Sequence, residues 1–501
     1  MDSANHPSAP IYEMLEKAAG RSRISLHIPG HKQRAIWLNR NANERFAPIL
    51  RLDFTELTDT DDLHHPAPGG AIAEAQRLAA ECFGAEETCF LVGGSTAGNL
   101  AMILGTAGPG DVLIVQRNVH RSIVHGLMLA GARAVWLPPQ VEPSSGLAVI
   151  PDIRHIQMAL ERYPEAKGVI LTSPNYYGIG GHLKPIAELC HAHRVPLLVD
   201  EAHGPHFGFH PLFPESALQC GADAVVQSAH KMLGAMTMGA MLHMRGTLVS
   251  REAVRQALRM VQSSSPSFPL LASLDLARQH IHASGAQAFG PALEAVRRAR
   301  LALRHTAIRA VGPGEDQWGT KDGVPFQYDP LKLTLYDATG RMTGFQLAQA
   351  LEERGCIPEM ADARHVVLAF GAGSCPEDGD ALADALRSLP LAGPHVTPPP
   401  IETPYGTRFS RMAAGEAWEV PEPVFLSRQM PATERVPLEE SEGRVAGEWI
   451  VPYPPGIPEL YPGEIITAQT IERLRAWKAE GASVQGAEDP SLQYVRVAVQ
   501  R

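Results

Sequence analysis

The chain has 501 residues, 45% hydrophobic and 20% charged, with a formal net charge of −10. That length exceeds what one hydrophobic core organises, so two or three domains are expected, and an acidic balance without a Lys/Arg block excludes a generic nucleic-acid binder. No apolar stretch is long enough to span a bilayer and no secretory pattern opens the chain. Six scattered cysteines without a C-x-x-C pair read as thiols of a reducing, cytoplasmic compartment.

In chain order, Gly70 to Phe83 shows apolar residues at helical spacing and stops at Gly84. Strand-like runs follow at Asp111 to Gln116, Ala132 to Leu137, Gly168 to Thr172, Val195 to Asp200 and Asp223 to Gln227. Between them, Arg121 to Ala130 and Leu183 to His193 are long enough for crossover helices. Continuous apolar strands alternating with helices predict an α/β fold with a mostly parallel sheet covered on both faces. Residues 276 to 310 read as helical. A smaller αβ unit follows, with strands at Leu331 to Tyr336 and His365 to Phe370 around a helix at Thr343 to Arg354. Leu389 to Pro404 reads as a Pro-rich linker, and the prolines of Val451 to Glu464 argue against a regular element there. The expected division is an N-terminal segment 1–35, a large domain 36–275, a small αβ domain 276–388, and a linker with C-terminal domain 389–501.

Ligands of open parallel sheets gather beyond the carboxyl ends of the strands, and several chemical groups fall at such ends. Asp200 closes VPLLVD and is followed by Glu201-Ala202-His203. It could hold a cofactor's pyridine nitrogen protonated, or merely cap a helix. Lys231, in Ser228-Ala229-His230-Lys231, follows DAVVQ; desolvated there, it could attack an aldehyde, although a lone lysine is more often a surface residue. Ser95 and Thr96, in GGSTAGN at Gly93 to Asn99, offer hydroxyls and free N–H groups at a helix N-terminus, an anion cradle distinct from a P-loop. His120 could stack on an aromatic cofactor or simply start a helix. His203, His206 and His210 lack a cysteine or carboxylate to complete a zinc set, so no metal is expected.

The ordered series is far more specific than its parts: HIPGHK at His27 to Lys32, DFTELTDTDDLHHP at Asp53 to Pro66, GGSTAGN, and RNVHRS at Arg117 to Ser122. It continues with TSPNYYG at Thr172 to Gly178, VDEAHGPHFGFH at Val199 to His210, SAHKMLGAMT at Ser228 to Thr237, SSSPSFPLLASLD at Ser263 to Asp275, and YPPGIPELYPGE at Tyr453 to Glu464. The chain resembles the fold-type-I pyridoxal-phosphate decarboxylases of ornithine, lysine and arginine, in the short bacterial form without an N-terminal wing domain. The resemblance implies that Lys231 forms the Schiff base with pyridoxal 5'-phosphate, Asp200 pairs with the ring nitrogen, and His120 stacks on the ring. It implies that Ala202 and His203 lie against the ring and its hydroxyl, that Ser95, Thr96, Ser228 and His230 surround the phosphate and the Schiff base, and that His230 or Lys231 returns a proton. It also implies a homodimer with shared active sites, in which Ser264 and Ser265 reach the neighbour's phosphate.

The reaction so implied is α-decarboxylation of a basic amino acid, arginine to agmatine before lysine or ornithine, within polyamine biosynthesis. A fold-type-I aminotransferase or aldolase, or a regulatory relative without turnover, are the competing readings. The family usually has Ala at the place of Pro205, Pro-Ala at Gly234-Ala235 and Gln at Met238, departures that bear on substrate preference. Carboxylates expected to receive a cationic side chain are Asp59 to Asp62, Glu359, Asp362 and Glu464.

Overall fold

The computed structural model describes residues 7–21, 24–56, 60–314, 318, 325–389, 418–429, 432–453, 457–479 and 483–499. Three helices open the chain: α1 (Pro10–Ala19), α2 (Arg40–Leu50) and α3 (Ala71–Phe83), the last ended by Gly84 at φ +77°. The large sheet then assembles from β1 (Glu87–Leu91), α4 (Gly94–Leu104), β2 (Val112–Gln116), α5 (Arg121–Ala130) and β3 (Arg133–Leu137). A short hairpin of β4 (Pro139–Val141) and β5 (Ala148–Pro151) leads to α6 (Ile153–Arg162), β6 (Val169–Thr172), β7 (Ile179–Gly180) and α7 (Leu183–Ala192). The run closes with β8 (Leu197–Asp200), β9 (Ala224–Gln227), α8 (Ala229–Met232), β10 (Ala240–Met244) and α9 (Arg251–Val261).

The eight strands lie in the order β1-β10-β9-β8-β6-β2-β3, with β16 (Val424–Phe425) at the far edge. β9, β8, β6, β2 and β3 run parallel; on one side β10 is reversed and pairs antiparallel with both β9 and β1, so β1 runs with the parallel set. The strands of β2 and β8 are buried at every position, the mark of a sheet covered on both faces. Helix α4 presses close to the sheet because Gly98 carries no side chain. A Cβ there would stand 2.7 Å from Leu91 Cδ1 and 2.8 Å from Val226 Cγ1. That close approach brings the next residue, Asn99, to the end of β8.

The expected helix over 276–310 is corrected. Helix α10 begins earlier (Phe268–Ser284), α11 spans Gly290–Leu303, and Ile308–Ala310 is β11. Its backbone pairs antiparallel with β13 (Lys332–Asp337), a partner that helical periodicity cannot anticipate. Strand β12 (Gln327–Tyr328) pairs with β7, and helices α12 (Gly344–Glu352) and α13 (Pro376–Arg387) accompany β14 (Met360–Ala361) and β15 (His365–Ala369). The smaller sheet runs β11-β13-β15-β14, antiparallel throughout.

Two backbone hydrogen bonds stitch this sheet onto the large one beside the strand ends: Asp329 N to Gly178 O at 2.8 Å and Ala372 N to Met232 O at 2.9 Å. The expected linker lies outside the described residues from 390 onwards. Beyond it stand β17 (Thr433–Pro437), β18 (Val451–Tyr453), α14 (Ala468–Ala479), β19 (Ser483–Gln485) and β20 (Tyr494–Ala498). The reading that prolines exclude a regular element from 451 to 464 is thus corrected at its start. Pro452 sits in β18, paired only with β19, and such a two-stranded ribbon tolerates a missing donor on its outer edge.

Candidate active site

The carboxyl ends of β2, β6, β8 and β9 converge on one crevice. Asp200, at the last position of β8, is 3% exposed. A buried carboxylate requires donors, and it has two: Asn99 Nδ2 donates to Oδ2 at 2.8 Å and Ala202 N donates to Oδ1 at 3.1 Å. The second N–H of Asn99 reaches Ser122 Oγ at 2.9 Å, and Ser122 Oγ lies 2.8 Å from His120 Nδ1. Ser122 N also donates to that same Nδ1 at 3.2 Å. With both Asn99 hydrogens used and a backbone N–H pointing at Nδ1, that nitrogen is an acceptor and the imidazole proton sits on Nε2. Burial pushes His120 down to about 4, with Lys231 and Arg121 assisting against the pull of Asp200, so the ring is neutral at physiological pH. The sequence reading did not single out Asn99 and Ser122, which join Asp200 to His120, although both stand inside motifs that it quoted.

Lys231 sits in the single turn of α8 after β9. Its Nζ lies 2.9 Å from His203 Nε2 and 5.9 Å from the centre of the Tyr176 ring. Desolvation lowers it to about 8; Asp200 and Glu359 oppose the fall and Lys332 adds to it. His203 is held well below its ordinary range by burial and by the two lysines, so its Nε2 is free to accept from Lys231. Its ring lies 4.4 Å from that of Tyr176. His230 donates from Nδ1 to Gly239 O at 3.0 Å, leaving Nε2 uncommitted, and burial lowers it too. Ser95 and Thr96 occupy the first turn of α4, whose N-cap Gly93 supplies no side-chain cap. Ser264 stands exposed between α9 and α10.

Three observations show that these residues fit pyridoxal phosphate. Ser228 Oγ and His203 Nδ1 are buried and find no hydrogen-bond partner among the described residues, which in a folded interior points to a ligand. The first turn of α4 presents free N–H groups and two hydroxyls to an anion. A lysine whose charge burial disfavours faces a buried carboxylate across the crevice, the pair needed to hold an aldehyde and a pyridinium.

The acidic candidates separate. Asp59 lies outside the described residues. Asp61 accepts from Ala67 N and Ile72 N, both at 2.9 Å, and Asp62 from His64 N at 2.7 Å, so both hold local backbone. Asp362 is occupied by Tyr177 Oη at 2.6 Å and by the N–H groups of Arg364 and His365. Glu464 is bound to Arg117 at 3.1 Å and to Tyr461 N, docking the C-terminal segment. Glu359 alone of the described candidates faces the crevice: it accepts from Tyr176 Oη and remains exposed. Tyr176 and Lys332, the latter read from sequence only as part of a strand, complete the group.

An open, mostly parallel sheet with this lysine, this carboxylate and an anion-binding helix end defines a fold-type-I pyridoxal-phosphate enzyme. The comparisons specify it. Residues 9–377 match the Orn/Lys/Arg decarboxylase major domain and residues 416–488 the Orn/Lys/Arg decarboxylase C-terminal domain. The chain is 38% identical to the uncharacterized protein YaaO of Bacillus subtilis over 482 residues, 96% of each chain. It is 36% identical to an arginine decarboxylase of the same organism over 499 residues, 97% of each. The constitutive lysine decarboxylase of Escherichia coli superposes with a TM-score of 0.75 at 21% identity, covering 98% of this chain and 82% of that one. The chain belongs to the Orn/Lys/Arg decarboxylase family, and it is a pyridoxal-phosphate-dependent amino-acid decarboxylase.

Proposed function

We propose that the substrate is arginine and the product agmatine. The observation that carries this is the full-length similarity, at 32–36% identity, to arginine decarboxylases, against 25% and less to lysine decarboxylases. Glu359 supports it: a carboxylate braced by Tyr176 at the crevice rim suits a planar guanidinium, which takes a carboxylate through two donors.

In this reading Lys231 Nζ would attach the cofactor, while Asp200, oriented by Asn99, would hold the ring nitrogen charged. His120, neutral and oriented by Ser122, would stack on the ring, and Ala202 and His203 would lie against the ring and its hydroxyl. Ser95, Thr96 and Ser228 would hold the phosphate. When bound, the cofactor supplies the sink for the electron pair released as CO₂ leaves Cα. His230 Nε2 or Lys231 Nζ then delivers the proton that replaces the carboxyl group.

Incubation with arginine, lysine and ornithine separately, followed by chromatography of the amines, is expected to give agmatine with a kcat/KM at least about tenfold above the others. Cadaverine or putrescine in excess would overturn the assignment. Glu359→Gln is expected to raise KM for arginine about ten- to a hundredfold, the worth of one charge-assisted pair.

The same proposal includes a homodimer with shared sites. Ile24, Leu26, Ile28, Ile36 and Leu38 are all more than half exposed on one stretch of chain. That stretch is tied to Asp53 and Thr55 through His31 and Ile28 O, and the adjoining Glu56 accepts from Ser265 Oγ at 3.4 Å. A second copy would cover this apolar face and meet Ser264. Sedimentation is expected to show a dimer, and a monomer at full activity would refute it. The domain division at 35, 275 and 388 belongs to the proposal, supported by the separate sheets. A cytoplasmic enzyme of polyamine biosynthesis suits both the product and the six free cysteines.

A further inference from the structure

Lys332 is the first residue of β13 and is 5% exposed. Its stem lies on Gly178, which sits at φ +82°; a Cβ there would stand 2.4 Å from Lys332 Cβ, so glycine is required both by the backbone and by the lysine above it. Nζ lies 5.5 Å from the centre of the Tyr176 ring, the ring that Lys231 Nζ also faces at 5.9 Å. No hydrogen bond from Lys332 Nζ is formed among the described residues. Two amines thus share one aromatic ring inside a crevice. Their surroundings differ. Behind Lys332 stands Asp329, its side chain fully buried, with Oδ1 on His206 Nε2 at 2.9 Å and Oδ2 without a partner among the described residues. Lys231 faces Asp200 and Glu359, but also the neutral rings of His203, His120 and His230, and Lys332 itself.

We propose that Lys332 is a positioning residue whose positive charge lowers the pH at which Lys231 becomes the uncharged amine that captures the cofactor. This rests on the assignment of Lys231 as the attaching amine. Capture needs a lone pair on Nζ: nitrogen adds to the aldehyde carbon, its two hydrogens leave with the carbonyl oxygen as water, and a carbon–nitrogen double bond remains. A protonated Lys231 cannot begin this. Burial disfavours charge on both amines; Asp329 and Glu359 favour it on Lys332, and Asp200 and Glu359 favour it on Lys231. A charged Lys332, backed by buried Asp329, adds to the burial that disfavours charge on Lys231.

The test is the pH dependence of the rate at which the full-length chain, stripped of cofactor, takes up added pyridoxal phosphate, followed by the visible absorbance. The wild-type midpoint is expected near the value of about 8 that Lys231 has here. Lys332→Met and Lys332→Gln are expected to move it up by about half to one pH unit, while Lys332→Arg, which keeps the charge, leaves it in place. A folded Lys332→Met or Lys332→Gln chain with an unmoved midpoint overturns the proposal. Lys231→Ala that still captures cofactor overturns instead the assignment of Lys231, so the two failures are distinct. Should neither neutral variant fold, trace acetylation of the wild-type stripped chain across neutral to alkaline pH decides. Lys231 is expected to become reactive at lower pH than Lys332, and the reverse order refutes the inference.

Discussion

Replacement of Lys231 by alanine is expected to lower kcat by about four orders of magnitude or more and to remove the visible band of bound cofactor. The side chain sits where three effects meet. Burial disfavours its charge, His203 Nε2 accepts from its Nζ at 2.9 Å, and Asp200 lies across the crevice. No second amine in the crevice can replace it, because Lys332 is anchored over Gly178 and backed by Asp329. The wild-type chain should capture cofactor about tenfold faster for each pH unit gained below about 8 and level off above, since the free amine is the reactive form and its fraction saturates there. An alanine variant that keeps both the band and turnover would sink the assignment.

Asp200→Asn is expected to cost about a thousandfold in kcat while leaving the visible band in place. The substitution preserves shape and removes charge. In the proposed reading that charge is what would hold the ring nitrogen protonated, so its loss would weaken the sink for the electron pair. A second cost falls on the fold: an asparagine amide placed at Oδ2 would meet the Asn99 Nδ2 donor, 2.8 Å away, donor against donor. That conflict is worth about 1–3 kcal/mol and would appear as a lower Tm. Turnover within tenfold of wild type would show that Asp200 does not serve the ring nitrogen.

Much of this site was legible because its carriers are local. Short windows of sequence place Asp200, Lys231 and the GGSTAGN cradle at strand ends and a helix start, while their roles come from the resemblance that the ordered series of motifs carries. The same windows were blind to partners. Asn99 and Asp200 are 101 positions apart, and Tyr176 and Glu359 are 183 apart. Nothing in the run PEMAD told Glu359 from Asp362. The fold separates them, because Tyr177 and the turn at His365 consume Asp362 and leave Glu359 at the rim. Lys332 was hidden in the same way, as one residue of an apolar strand whose first position happens to face the crevice.

The sequence by itself determined the α/β alternation of the large domain's central strands, the residue types able to do the chemistry, and their positions at strand ends, since periodicity and turn chemistry act within a few residues. Tertiary structure alone decided which amine loses its proton, which imidazole tautomer faces the cofactor and which carboxylate is left free. Those properties depend on burial and on groups brought within a few ångströms from distant parts of the chain: Asn99 and Ser122 around His120 within the large sheet, and Lys332 and Glu359 from the smaller one.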